Sequence, residues 1–184
     1  MGLPRQAIED AALVLGVDTA TILAVDTVES RGTGMDSQGR PKILFEPHVF
    51  SRLTARKFDK AHPSISYPKW IPKAPSYARD QHQVLSEARF LDAPAAVQAC
   101  SWGRYQLMGF NWSLCGFDTL ADFEEAMRAG ESQQLAAFLR FVVSHPAMLR
   151  ALQRKDWAGF AERYNGPGYA ANNYHVKLAN AYTA

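Results

Sequence analysis

The stretch Thr19-Ala20-Thr21-Ile22-Leu23-Ala24-Val25-Asp26-Thr27-Val28-Glu29-Ser30-Arg31-Gly32 puts a carboxylate at the point where an apolar helical stripe runs out. Asp18 or Thr19 offers a side-chain oxygen to the open N–H groups of a helix start. Ile22, Val25 and Glu29 then fall at i, i+3 and i+7, on one face. Gly32 and Gly34 stop the helix. A carboxylate on such a face loses water, which raises its pKa. The negative end of the helix dipole acts in the same direction. Together they favour a protonated acid near neutral pH, the state needed to donate a proton to a leaving group. The plainer alternative is an ion pair with Arg31 or another arginine, the usual fate of a glutamate at a helix end.

Outward from this segment the pattern is helix-rich. Upstream, Pro4 suits a first turn, Ile8, Ala11, Ala12 and Leu15 form a stripe, and Gly16 stops it. Downstream, residues 33–46 read as a small hairpin, with a turn at Asp36 to Arg40 and a strand-like Lys42 to Phe45. A helix is expected over Pro47 to Leu53. Residues 59–77 hold Pro63, Pro68, Pro72 and Pro75 among Tyr67, Trp70 and Tyr77. That composition predicts an irregular loop, either pinned to the surface by its aromatics or flanking a groove. Helices are expected over Gln83 to Leu91, Ala93 to Ala99, 103–110, 119–145 with a break near Gly130, from Pro146, over Trp157 to Tyr164, and over Ala170 to Tyr182. The fold class is therefore α+β, mainly α, with a helical lobe and a small β-hairpin, in one domain over residues 1–184.

The 184 residues, 47% apolar and 21% charged, suit one globular domain with a sizeable core. No segment approaches the roughly 20 apolar residues of a membrane span. Net charge is +2 and the pI about 8.6, enough to favour an anionic polymer but far from the dense Lys/Arg stripe of a nucleic-acid binder. Cys100 and Cys115 are expected as reduced, buried thiols. The five histidines show no metal-ligand spacing, Gly166-Pro167-Gly168 lacks a phosphate-loop spacing, and no Gly-x-Ser-x-Gly elbow is present. No metal or other cofactor is expected.

Three elements in chain order carry a resemblance. Val28-Glu29-Ser30-Arg31-Gly32 resembles the Glu-Ser element of the lysozyme-like superfamily, which holds the goose-type lysozymes and lytic transglycosylases. Ser101-Trp102-Gly103-Arg104-Tyr105-Gln106-Leu107-Met108 resembles its Ser-x-Gly-x-x-Gln-Leu-Met motif. Tyr164-Asn165-Gly166-Pro167-Gly168 resembles its Tyr-Asn-x-Gly element. The segments Ile43 to Phe50 and Ser101 to Trp112 are similar to the N-acetylmuramidase domain of endolysins from phages of Gram-negative bacteria. The resemblance runs from about Ala12 to Leu178.

The resemblance implies a lysozyme-like fold and a peptidoglycan-cleaving enzyme acting between N-acetylmuramic acid and N-acetylglucosamine, with Glu29 as general acid. Glu46, at the end of the expected second strand, is the candidate second carboxylate. Asp36 competes for that role, and a structural partnership of Glu46 with Arg52, Arg56 or His48 is the alternative. Ser101 and Gln106 match polar positions lining the sugar groove. Tyr164 and Asn165 match the third element, with the tyrosine hydroxyl expected to orient the acid. Trp102, Tyr105, Phe110 and Trp112 are expected mainly in the core, with one of them, Trp102 in the first instance, touching sugar.

Two other readings stay open. A lytic transglycosylase would use the same Glu29 and form 1,6-anhydro products. A non-catalytic wall-binding module would need no acid at all. The expected partner is the peptidoglycan glycan strand, bound by a monomer without nucleic acid or stable membrane insertion. The N-terminus lacks a secretory-signal pattern. The phage resemblance therefore implies synthesis in the host cytoplasm and action in the periplasm after delivery by another factor. The chain is also consistent with the C-terminal catalytic part of a longer modular endolysin.

Overall fold

Pro4 and Gly16 bracket the first helix, α1 (Arg5–Leu15), in a computed structural model that describes residues 3–30 and 32–184. The expected stripe of Ile8, Ala11, Ala12 and Leu15 is buried. Gly16 closes it in the left-handed region at φ 63°, where a side chain would be strained. Asp18 then caps α2 (Thr19–Glu29), its Oδ1 accepting the Thr21 backbone N–H at 2.8 Å. Glu29 is the last residue of α2, one turn past the buried Val25.

The remaining helices follow the sequence pattern closely: α3 (Pro47–Leu53), α4 (Gln81–Leu91), α5 (Ala93–Gln98), α6 (Leu120–Ala129), α7 (Glu131–Val143), α8 (Pro146–Gln153), α9 (Trp157–Asn165) and α10 (Tyr174–Thr183). Gly130 separates α6 from α7 as expected. The last helix starts at Tyr174 rather than Ala170. A 3-10 turn over Pro167–Tyr169 and a left-handed Asn173 intervene. Residues 54–80 are largely turns, with one 3-10 turn at Pro75–Ala78.

Two local expectations are corrected in the sheet. The segment expected as a helix at 103–110 is not helical. It is the turn and second arm of a hairpin formed by β2 (Cys100–Trp102) and β3 (Leu107–Met108), ending in a 3-10 turn at Gly109–Asn111. Gly103 and Gln106 sit at φ 67° and 49°, values that no right-handed helix accommodates. The chain does reverse within 33–46, with the Asp36 N–H on the Arg40 carbonyl at 2.8 Å. However, only one bridge forms there, between Met35 and Pro41. Pro41 has no N–H to extend a ladder. The strand β1 (Ile43–Phe45) pairs instead with β2, giving an antiparallel sheet in the order β1-β2-β3 with Leu44 opposite Ser101. Alternation along β2 sends Cys100 and Trp102 into the core and turns Ser101 the other way.

One apolar cluster joins α1 to α10 through the sheet, centred on fully buried Phe45, Phe50, Phe123, Phe138 and Phe160. Cys100 and Cys115 are free and buried in it, and burial pushes the Cys115 thiol up to about 12. Among the described residues, no single helix is long and apolar enough to cross a membrane. Close packing sets one test of the fold. A Cβ on Gly109 would collide with the Val97 carbonyl oxygen, a backbone atom unable to move aside. Gly109→Ala is expected to cost about 1–3 kcal/mol, read as a lower urea midpoint at unchanged slope.

Candidate active site

A cleft of about 800 Å³ opens where the C-terminus of α2, the sheet and the C-terminus of α9 meet. Glu29, Glu46, Ser101, Gln106, Tyr164 and Asn165 all line it, although they come from four separate parts of the chain. Asp36, Arg40, Lys42, Asp80 and His82 line it as well, so charged and titratable side chains stand among its apolar ones.

Glu29 is half-buried in this wall. Its Oε1 accepts the Asn165 side-chain amide at 3.1 Å. Asn165 is the last residue of α9, and Gly166 at φ 76° turns the chain away immediately after it. The alternative pairing with Arg31 lies outside the described residues. Tyr164 takes a different part from the one expected. Its hydroxyl donates to the Tyr105 carbonyl at 2.6 Å, so its proton is directed there, and the amide donor to Glu29 is the neighbouring Asn165. Burial first, and then the nearby Glu29 charge, push the Tyr164 pKa well up. The ring stacks on Phe160 at 5.6 Å and meets Phe138 edge-on, which locks α9 at the cleft.

Glu46 occupies the N-cap position of α3, just after β1, without a side-chain capping bond, and its side chain is 17% exposed. Tyr77 donates to its Oε2 at 2.6 Å, and His48 Nδ1 lies 3.4 Å from the same oxygen without hydrogen-bond geometry. Burial is the largest influence and raises the Glu46 pKa; the Tyr77 bond and His48 oppose it. The alternative pairings with Arg52 and Arg56 do not form, because Arg52 stacks over Phe110 and Arg56 pairs with Asp59. Asp36, the competitor, is committed elsewhere. Its carboxylate accepts the backbone N–H groups of Gln38 and Arg40 and the Arg40 guanidinium. Burial works to raise its pKa, but these donors outweigh it and hold the carboxyl below its usual value.

Ser101 Oγ donates to Gln106 Oε1 at 2.9 Å, and Gln106 Nε2 donates to the Gly103 carbonyl at 2.9 Å. The pair is thereby pre-oriented. The hydroxyl lone pairs and the second amide hydrogen remain for a ligand. Trp102 is a correction. It is fully buried, its indole N–H donates to the Val97 carbonyl at 3.0 Å and its ring meets Phe123 edge-on, so it cannot reach a sugar. Strand alternation sends it inward, opposite in sense to Ser101. Of the four motif aromatics only Tyr105 borders the cleft.

Sequence reasoning missed the network behind the cleft. Arg104 is 3% exposed and grips Asp26 with both Nε and Nη2 at 2.6 Å. Its Nη1 reaches Glu131 at 3.0 Å and the Gly32 carbonyl at 3.1 Å. Tyr105 Oη also donates to Asp26, at 2.9 Å. Glu131 accepts further from the Thr33 hydroxyl and the Gly34 N–H. The buried Gln134 accepts the Arg104 backbone N–H at 2.7 Å, and a Cβ on Gly34 would collide with it. The network clamps α2, one turn before Glu29, to the 103–106 turn and to the start of α7. The signal available in sequence was a charged residue inside an otherwise uncharged motif; its acidic partners were out of reach.

The N-acetylmuramidase family profile matches residues 18–184. The chain belongs to the N-acetylmuramidase family. The crystal structure of Burkholderia AP3 phage endolysin is similar over 98% of this chain and 70% of that one, at 40% sequence identity and a TM-score of 0.89. No match is found among curated protein sequences. The mainly helical muramidase, with its small three-stranded antiparallel sheet, thus has the lysozyme-like fold of a phage endolysin. Family membership makes it a glycoside hydrolase that degrades peptidoglycan.

Proposed function

We propose that this muramidase hydrolyses the β-1,4 bond between N-acetylmuramic acid and N-acetylglucosamine, with Glu29 as general acid and Glu46 as the second carboxylate. The observation that carries the reading is the Asn165 amide on Glu29 Oε1 inside the cleft. In a protonated carboxyl the oxygen that accepts from an amide is the carbonyl oxygen, and the proton for the glycosidic oxygen is carried by the other. As the bond breaks, positive charge develops at the anomeric carbon. Glu46 stabilises it or draws a proton from the attacking water. Ser101 and Gln106 offer a hydroxyl and an amide to the N-acetyl and hydroxyl groups of the strand. In this reading residues 1–184 act as one monomeric catalytic domain, made in the host cytoplasm and lysing the cell from the periplasm.

One observation favours a second reading. Burial raises the Glu46 pKa, which favours its neutral form. A lytic transglycosylase needs no second carboxylate, because the sugar's own 6-hydroxyl attacks. Mass spectrometry of the released muropeptides separates the two. Reducing N-acetylmuramic acid ends are expected from the parent, with about a hundredfold loss of turnover in Glu46→Gln. Anhydro ends from the parent, with turnover retained in Glu46→Gln, would establish the transglycosylase instead.

A further inference from the structure

The loop over residues 59–80 contributes one side chain whose placement the reaction scheme above does not use. Tyr77 sits in the 3-10 turn Pro75–Ala78. Gln81, at the start of α4, holds that turn in place. Its Nε2 donates to the Ser76 carbonyl at 2.8 Å and to the Arg79 carbonyl at 2.9 Å. Its Oε1 accepts the Phe45 backbone N–H at 3.0 Å, on the residue just before Glu46. Glu46 itself is tied down by its backbone N–H on the Ala99 carbonyl at 2.9 Å. Both partners of the 2.6 Å Tyr77–Glu46 bond are therefore fixed to the same strand end. The exposed Trp70 side chain also bears on the Tyr77 hydroxyl.

The contacts on Glu46 are lopsided. Tyr77 and His48 both address Oε2, while Oε1 has no hydrogen-bond partner among the described residues. A group that must meet a developing cation or a water needs one oxygen anchored and the other presented.

We propose that Tyr77 is a positioning residue of this muramidase: its hydroxyl anchors Glu46 through Oε2 so that Oε1 is presented to the substrate or the attacking water. The inference rests on the reading of Glu46 as the second carboxylate. It assigns the proline- and aromatic-rich loop a part in the reaction that is distinct from surface packing. The titratable groups around Glu46 are His48 from α3, Tyr77 from the 3-10 turn and the Cys100 thiol from β2, with Tyr67 acting on Tyr77. The Tyr77 bond favours ionised Glu46, so its removal raises the Glu46 pKa. The acid limb of the rate profile then moves to higher pH; His48 and Cys100 stay in both proteins and cancel in the comparison.

The test is Tyr77→Phe, which keeps the ring and removes the hydroxyl, assayed on soluble glycan strands. Turnover is expected to fall roughly tenfold with KM within about twofold, and the acid limb to move up by about one pH unit. In a Glu46→Gln background the same substitution is expected to add no further loss. Parental turnover and pH profile in Tyr77→Phe, with Glu46→Gln impaired, would overturn the role of Tyr77 and leave that of Glu46 standing. An equal loss in both backgrounds, with a lowered melting temperature, would make Tyr77 structural and overturn it too. Parental turnover in Glu46→Gln would remove the second carboxylate, and with it the reason for an anchor.

Discussion

Glu29→Gln is expected to lower peptidoglycan hydrolysis by about two to four orders of magnitude while leaving the fold and wall binding intact. The substitution is nearly isosteric, and the Asn165 amide can still donate to the new side-chain carbonyl oxygen, so the geometry at 3.1 Å has no reason to collapse. What disappears is the proton. General acid catalysis supplies about 10²–10⁴-fold in such reactions, and the other carboxyls lining the cleft have donors of their own, Asp80 in the His82 and Gln83 backbone N–H groups. Asp36 is held below its usual pKa by Arg40 and backbone donors, and Glu46 is engaged with Tyr77. Clearing of cells stripped of their outer membrane, beside a pull-down on purified walls, reads both properties at once. Lysis at the parental rate would sink the assignment. Loss of wall binding together with lysis would move Glu29 from chemistry to recognition.

Arg104→Met is expected to be the most destabilising single change, at about 3–5 kcal/mol. The guanidinium is 3% exposed and faces Asp26 and Glu131, themselves 13% and 18% exposed. Its loss leaves two carboxylates in a poorly solvated site. At about 2–4 °C per kcal/mol for a chain of this size, the melting temperature drops on the order of 10 °C. Arg104→Lys should recover only part of this, because a point charge cannot hold both Asp26 oxygens.

The sign of the pH dependence follows from Glu131. Burial works to raise its pKa, but the Gly34 N–H, the Thr33 hydroxyl and Arg104 outweigh it and hold it lowered. Its contribution is therefore present above the unfolded carboxyl value and lost as pH falls through the folded one. In Arg104→Met the stranded Glu131 carboxylate is relieved by protonation. The gap between parent and variant should narrow below about pH 4. A gap that stays constant down to pH 3, or a loss under about 1 kcal/mol, would show that the network contributes little.

Much of the fold was legible in local signals. The α1 stripe with Gly16, the Asp18 cap, the Gly130 break and the prolines opening α3 and α8 all act within a turn of their own residue. The misread elements were those whose backbone donors are satisfied at long range. Residues 103–110 look helical by composition, but β2 finds its ladder on β1, with Ser101 opposite Leu44. The expected arm of the 33–46 hairpin turned out to serve that same pairing. Trp102 was legible as an aromatic near the groove, yet strand alternation, visible only once the strand is known, buried it.

The three ordered motifs, with Glu29 at the end of its helix and Glu46 at the head of the next, were sufficient to name the family and its candidate acid. Chain-local patterns carry that much because caps, stripes and motif spacings are short-range. What the tertiary structure alone decided is who holds each group. Asn165 reaches Glu29 across 136 positions, Arg104 reaches Asp26 across 78, and Tyr77 reaches Glu46 across 31. A hydrogen bond needs approach to within about 3 Å, and only packing of the whole core brings such distant side chains that close.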